Sequence, residues 1–221
     1  MNISSYFILY MMYSCIGWIL EVIDSFIEHK KFVNRGFLIG PYCPIYGKGA
    51  LLVTFLLQDY LDKPIGLFVL SMVICAIIEY IGSYILEKLF NTSWWDYSHK
   101  KFNINGRICL STMLIFGVGC TIVMYITNPF FIKILSISNN ILNILALILA
   151  IIYITDFIIS FRIIWKFKKI SDNSKKDSTI KVTEYVREEI IKKKNILYKR
   201  LINAFPNLKV LKDKKEQLWK K

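Results

Sequence analysis

The chain has 221 residues, of which 55% are hydrophobic and 15% aromatic, and its mean hydropathy is +0.44. This composition is typical of a multi-pass membrane protein and argues against a soluble globular domain. The net charge of +13 would suit a nucleic-acid-binding protein, but residues 1–165 carry 11 basic and 9 acidic side chains, whereas residues 166–221 carry 18 and 7. We therefore predict a transmembrane domain, 1–165, followed by a basic cytoplasmic tail, 166–221.

Five hydrophobic runs are predicted to cross the membrane as helices, which makes the fold an all-α polytopic integral membrane protein. The runs are Ile3 to Ile27, Ile45 to Leu61, Pro64 to Leu89, Ile108 to Ile126 and Ile141 to Trp165. The second run has roughly 17 residues, the lower limit for crossing about 30 Å of hydrocarbon at about 1.5 Å per residue. Its start is therefore expected to lie inside the membrane boundary.

The segment between the first two runs, Phe32 to Gly49, is rich in glycine and proline. Proline lacks an amide proton and disfavours helical conformation in the preceding residue, so no undisturbed helix crosses Gly40 to Pro44. Irregular backbone is tolerated near lipid only where protein or a water-filled cavity satisfies its amides. The residues predicted to shape this loop are Asn34, Gly36, Gly40, Pro41, Pro44 and Gly47.

The distribution of basic residues predicts the orientation of the chain. With five spans and a cytoplasmic C-terminus, only Lys63 and Lys133 of the 29 basic residues lie outside, which agrees with the positive-inside rule. The N-terminus is then outside, and the glycine-proline segment and the loop from Trp94 to Arg107 both face the cytoplasm. A re-entrant hairpin at Ile45 to Leu61 is the alternative, but it would move Lys30, Lys31 and Arg35 outside.

Acidic side chains lie in the inner halves of three predicted spans, at Glu21, Glu79, Glu87 and Asp156. An unpaired carboxylate at membrane depth costs at least ~2.5 kcal/mol on insertion scales, so these acids are expected to be inward-facing and paired or protonated. They either fasten helices together or form a substrate or ion site beneath the two cytoplasmic loops. The residues predicted for such a site are Glu21, Arg35, Glu79, Asp96, Asn103, Asn105 and Arg107.

Three long motifs occur in one order along the chain: NRGFLIGPYCPIYGKG, then IEYIGSYILEKLF at Ile78 to Phe90, then WWDYSHKKFNINGRICL at Trp94 to Leu110. Together they resemble the CmpB-like family of presumed ABC-transporter permeases. The resemblance covers Gly17 to Gly119, and NAFPNL at Asn203 to Leu208 is similar to bacterial members. It implies a multi-pass membrane protein and a separate ATPase subunit as partner, without fixing a reaction or a substrate.

Other chemistries fit the residues less well. The five cysteines stand singly and only two histidines are present, so no metal site and no cofactor is predicted. Gly40 and Gly47 are separated by six residues and Lys48 is followed by glycine, so the spacing is not that of an ATP-binding P-loop. An enzyme acting on a lipid or isoprenoid phosphate remains an alternative, with Glu79, Asp96, His99 and Arg107 as base and phosphate clamp.

The tail carries a broken apolar stripe beside many lysines. The stripe predicts an amphipathic helix, and it consists of Val182, Val186, Ile190, Leu197, Leu201 and Phe205. Its lysines favour binding to anionic lipid headgroups over docking to a partner, and nucleic-acid binding is not expected. The interpretation adopted is the membrane component of a transporter in the bacterial cytoplasmic membrane. An enzyme or a non-catalytic scaffold is the alternative, and homo-oligomerisation stays open.

Overall fold

The computed structural model describes residues 1–172, 179–192, 196–205 and 208–210. The helices are α1 (Ile3–His29), α2 (Pro44–Leu56), α3 (Pro64–Phe90), α4 (Leu110–Ile122), α5 (Asn128–Ile134), α6 (Asn139–Asp172), α7 (Thr179–Lys192) and α8 (Ile196–Ala204). The strands are β1 (Thr92–Ser93), β2 (Asn103–Ile104), β3 (Ile108–Cys109) and β4 (Lys209–Val210). Since each strand has only two residues, the predicted all-α class is confirmed.

Four helical stretches are long and apolar enough to cross a membrane: Ile3–Glu28, Pro64–Phe90, Leu110–Ile134 and Asn139–Lys166. The second predicted span is the exception. Its helix, α2, has 13 residues and a length of about 20 Å, short of the ~30 Å hydrocarbon core. A 3₁₀ turn at Gln58–Tyr60 replaces the predicted last turn. Pro44 opens the helix because a proline fits the first turn, where no amide proton is needed.

The fourth span runs further than the sequence indicated. We expected it to end near Ile126, before Asn128 and Pro129, but a π turn at Val123–Thr127 leads straight into α5. The Asn128 side chain accepts a hydrogen bond from the Tyr13 hydroxyl at 2.7 Å and donates to Thr54 Oγ1 at 2.8 Å. Proline is tolerated here because it stands in the first turn of the resumed helix, where its missing amide proton leaves no hydrogen bond unmade.

Side-chain contacts fix the directions of the helices. The rings of Tyr6 and Phe55 lie 4.8 Å apart, so the start of α1 meets the end of α2. The Asn2 side chain bonds to Asn139 at 3.0 Å, so α1 and α6 begin at the same end of the bundle. The 30–43 segment and the 91–109 loop therefore share the opposite end, as the five-crossing arrangement requires.

The fifth predicted span, Ile141 to Trp165, agrees with the apolar stretch Asn139–Lys166 of α6. Helix α6 continues past Trp165 to Asp172, so the predicted boundary at residue 165 falls inside a helix. Two helices, α7 and α8, carry the described part of the apolar stripe. The side chains of Ile190 and Lys192, residues 193–195, and Pro206 and Asn207 of the NAFPNL motif lie outside the described residues.

Candidate functional site

The glycine-proline segment returns into the helix bundle after α1. We call residues 30–43 the re-entrant segment. At its end, the amide of Cys43 donates to the carbonyl of Ser14 at 2.8 Å. Ser14 lies about 17 Å along α1, which is about 40 Å long. Irregular backbone and the short α2 thus replace a full-length second span, and the expectation that this span starts inside the membrane boundary agrees with the contact.

Glycines allow α1 and α2 to approach closely at this depth. A Cβ on Gly47 would lie 2.3 Å from Ser14 Oγ and 2.5 Å from the carbonyl of Tyr10. A Cβ on Gly17 would lie 2.2 Å from the ring of Tyr46. All three distances are shorter than the non-bonded contacts of real Cβ atoms, so neither position accepts a side chain without a shift of its neighbours. This packing places Tyr46 against the inner half of α1.

Asp156 of α6 satisfies the backbone of the re-entrant segment. Its carboxylate accepts hydrogen bonds from the amides of Ile39 at 2.9 Å and Gly40 at 2.7 Å. It also accepts from the hydroxyls of Tyr42 at 2.5 Å and Ser160 at 2.8 Å. Four hydrogen-bond donors compensate the buried charge of this carboxylate. Two of them are backbone amides, which thereby obtain the partners that irregular backbone needs inside a membrane.

Two loop residues hold the rest of the segment in shape. The Asn34 side chain accepts a hydrogen bond from the Trp18 indole at 2.7 Å and donates to the carbonyl of Ile39 at 2.8 Å. Gly36 has a φ of +121°, a conformation that side chains rarely adopt. Asn34 and Gly36 therefore shape the backbone of the re-entrant segment.

A second group of polar residues lies beside the start of α2. The Tyr46 hydroxyl donates to Glu21 Oε1 at 2.6 Å. Glu79 of α3 is only 5% exposed, and among the described residues its Oε2 has no hydrogen-bond partner. The Glu21 carboxylate acts electrostatically on Glu79, and the Tyr97 hydroxyl lies within reach of Glu79. We call Glu21, Tyr46, Glu79 and Tyr97 the acidic cluster.

The two loops meet over the acidic cluster. The rings of Phe37 and Trp94 lie 5.8 Å apart, and the charge of Arg35 acts on Tyr97. Burial, and then the neighbouring Glu79, raise the pKa of Tyr97, so its hydroxyl stays protonated and can donate. Of the predicted site residues, Glu21 and Glu79 thus act on each other, whereas Arg35 pairs with Glu28 at 4.0 Å.

The other predicted site residues organise the 91–109 loop itself. The Asn103 side chain donates to the carbonyls of Ser98 and Lys100 and accepts from the amide of Gly106. Asn105, with a φ of +53°, donates to the Tyr80 hydroxyl at 2.8 Å.

Both charged members of this set have partners at the edge of the loop. Arg107 pairs with Glu87 at 2.8 Å and lies over the rings of Tyr80 and Tyr84. Asp96 pairs with Lys209 at 2.6 Å, and that bond, together with the amide of Ser98, lowers the pKa of Asp96 to about 2. These contacts hold the loop to α3 and to the tail.

The comparisons with known proteins identify the family. A family described as "Putative ABC-transporter type IV" matches residues 8–161, which is more than half of the chain. The chain belongs to this family. No curated protein and no solved structure matches it.

Within this member of the ABC-transporter family, the residues suggested for a lipid-phosphate enzyme do not form one site. His99 is exposed, Asp96 is paired with Lys209, and Arg107 is paired with Glu87 away from Glu79. The described residues also contain no group of three or more His, Cys, Asp or Glu that could hold a metal ion.

Sequence reasoning omitted three contributors to the site. Tyr46 and Tyr97 belong to the acidic cluster, and Asp156 was recognised as an intramembrane acid but was not assigned to the loop it supports. Tyr46 lies inside the glycine-proline motif, and Tyr97 directly follows Asp96 in WWDYS. A signal for both was therefore available, because a tyrosine inside a polar motif at a membrane boundary can serve a buried carboxylate as donor.

Proposed function

We propose that the chain is the membrane component of an ABC-type transporter in the bacterial cytoplasmic membrane, with the N-terminus outside and the C-terminus in the cytoplasm. The family membership supports the transporter class. A separate ATPase subunit supplies the energy, because the glycine-lysine spacing in this chain differs from that of an ATP-binding P-loop. The acidic cluster is the place where the transported species meets the protein.

The observation that carries this proposal is the unpartnered carboxylate oxygen of Glu79. Glu79 is 95% buried in a membrane-spanning helix, where a carboxylate is costly unless it is paired or protonated. Packing alone gives no reason to keep such a group. A transported species that brings a hydrogen-bond donor or a positive charge to Oε2 would complete its environment.

The break before α2 supports the same location. Tyr46, in the first turn of α2, donates its hydroxyl proton to Glu21, and a helix N-terminus carries partial positive charge. Interrupted helices in transporters commonly place such ends at substrate sites near the middle of the membrane. A site with two carboxylates and two tyrosine hydroxyls favours a polar species that donates and accepts hydrogen bonds.

The test compares Glu79→Gln with Asp24→Asn in a deletion strain. Asp24 is an exposed acid on α1 and serves as the matched control. Metabolites and lipids are profiled in cells carrying each variant, and insertion is checked by quantifying the full-length protein in membranes. We expect the wild type and Asp24→Asn to restore the profile, and Glu79→Gln to fail although it is inserted at a normal level.

Restoration of the profile by Glu79→Gln would show that the transported species does not depend on this carboxylate. The transporter class is tested separately by purifying the full chain from its native membranes under mild detergent. We expect an ATPase subunit to accompany it and to hydrolyse ATP more slowly without it. The membranes used are those of cells whose metabolite and lipid profile shows that the protein is active. If no ATPase is purified with the chain from such membranes, the transporter class is contradicted.

The orientation is tested with single introduced cysteines. Lys31 and Lys100 belong to the end that carries both loops, whereas Asp62 belongs to the other end, and all three are exposed. Cysteines at Lys31 and Lys100 should resist a membrane-impermeant thiol reagent in intact cells, and one at Asp62 should react. Labelling at Lys31 but not at Asp62 means the reverse orientation.

A further inference from the structure

The tail packs against the membrane domain of its own chain, although its lysines favoured the lipid surface. Its apolar stripe joins side chains of α3, α6 and the 91–109 loop in one buried cluster. The members of that cluster are Phe90, Trp94, Ile164, Val182, Val186, Tyr198, Leu201, Leu208 and Val210. The stripe is thus an internal packing surface, located directly beneath the end of the bundle that holds the acidic cluster.

Arg200 of the tail donates hydrogen bonds to the re-entrant segment. The Arg200 guanidinium donates to the carbonyl of Leu38 at 2.6 Å and to the carbonyl of Phe37 at 3.3 Å. These carbonyls belong to neither helix nor strand, so they need donors from elsewhere. Burial lowers the pKa of Arg200, yet its charge is still met by carbonyl dipoles and by the field of Asp156. The contact is therefore specific to a guanidinium at this position.

Phe205 and strand β4 contact the 91–109 loop. Strand β4 pairs antiparallel with β1, with Lys209 opposite Ser93. The ring of Phe205 lies 4.9 Å from that of Trp94 in an edge-to-face arrangement. Lys209 adds the ion pair with Asp96. The described residues of the tail thus contact both the re-entrant segment and the 91–109 loop.

We propose that the described tail residues, 179–192, 196–205 and 208–210, form an autoinhibitory latch that covers the acidic cluster, and that release of this latch exposes the cluster. The proposal rests on the proposed function. Cys43, which is 7% exposed, ends the re-entrant segment whose carbonyls Arg200 binds, and Tyr46 of the acidic cluster follows three residues later. The accessibility of Cys43 therefore reports whether the latch is in place.

The test measures the accessibility of Cys43 in the full chain. Purified protein is treated with a membrane-impermeant maleimide, and labelled Cys43 is quantified by mass spectrometry. Arg200→Gln removes the donors to Phe37 and Leu38, while Lys199→Gln changes an exposed neighbour and serves as control. We expect labelling to be about tenfold faster in Arg200→Gln and unchanged in Lys199→Gln, because local opening governs access to a buried thiol.

Equal labelling rates in Arg200→Gln and the wild type would overturn the latch. A rise of the same size in Lys199→Gln would overturn it too, since the effect would then come from lost charge. If Arg200→Gln does not fold, Phe205→Ala replaces it, because that change removes the ring contact with Trp94 and leaves both loops intact. Labelling needs neither substrate nor ATPase, so its failure is distinct from a failure of the transporter proposal.

Discussion

Asp156 and Glu79 are both carboxylates buried in membrane-spanning helices, 8% and 5% exposed, but their surroundings differ. Asp156 accepts four hydrogen bonds, two of them from amides of the re-entrant segment. Glu79 has an oxygen without a partner in the described part of the chain. Asp156 is therefore part of the hydrogen bonding of the fold, whereas one oxygen of Glu79 is left without a hydrogen bond by the described residues.

The difference has a physical origin in what each acid faces. Asp156 faces amides of the re-entrant segment, which no helix or sheet can satisfy. Its carboxylate accepts their hydrogen bonds and so removes the cost of leaving buried amides unpaired. Glu79 is buried near a second carboxylate, Glu21, so its charge adds a cost that the Tyr97 hydroxyl offsets in part. The proposed function gives a reason to retain the second kind of group.

The largest expected effect is on folding and comes from Asp156→Asn. The amide side chain would present its own donors to the amides of Ile39 and Gly40, leaving buried donors unsatisfied, and we expect a loss of about 3 kcal/mol. Thermal stability of the detergent-solubilised protein measures it. Ser160→Ala removes one donor of four and should cost about 1 kcal/mol. Equal stability of Asp156→Asn and the wild type would mean that the re-entrant segment does not depend on this carboxylate.

The next effect concerns the helix contact that positions Tyr46 in the acidic cluster. Gly17→Ala forces a methyl group into the ring of Tyr46, and overpacking of this kind costs about 1–3 kcal/mol. Gly119→Ala is the matched control, since a Cβ there meets nothing within 4 Å. Its stability should stay level or rise slightly from better helix propensity. Thermal unfolding of the two variants, measured side by side, gives the difference in their stability. A Gly17→Ala variant as stable as the wild type contradicts the close packing.

A smaller effect is expected at Glu79, which sharpens the contrast with Asp156. Glu79→Gln removes a carboxylate whose second oxygen gains nothing from the fold, so stability should change by less than about 1 kcal/mol or increase. The same thermal assay, run beside Asp156→Asn, measures the difference between the two acids. A strong loss of stability that is regained on removing Arg35 would instead identify Glu79 as part of a helix-fastening pair.

The smallest effect belongs to a third acid, Asp96, at the surface of the latch. A double-mutant cycle of Asp96→Asn and Lys209→Gln should give a coupling of about 0.2–1 kcal/mol that weakens with salt. The pKa of Asp96 is lowered to about 2 in the fold, from about 3.9 when unfolded, so the coupling is present above pH 4. It is lost as the pH falls towards 2. A coupling that is undiminished at pH 2 contradicts the ion pair, because about half of the Asp96 carboxyl groups are then protonated.

Much of the architecture could be predicted from local composition. Long apolar runs predicted five spans, four of which are long enough to cross a membrane in the described residues, and the paired prolines near Pro44 predicted the break between α1 and α2. The continuation through Asn128 and Pro129 could not be predicted, because it depends on the hydrogen bonds that Asn128 makes with Tyr13 and Thr54. Topology placed Glu21 and Glu79 in the same half of the bundle, but it left open which acid Arg107 pairs with, because that depends on side-chain reach.

The sequence by itself determined that this is a helical membrane protein with an irregular segment at membrane depth, because backbone in lipid must satisfy its own hydrogen bonds and glycine and proline interrupt that. Only the tertiary structure decided which groups meet. Ile39 and Asp156 are 117 positions apart, and Leu38 and Arg200 are 162 apart. Pairings at such separations depend on how whole helices pack, so no local pattern distinguishes the acid that holds the loop from the acid left open, or a tail docked on its own chain from one bound to lipid.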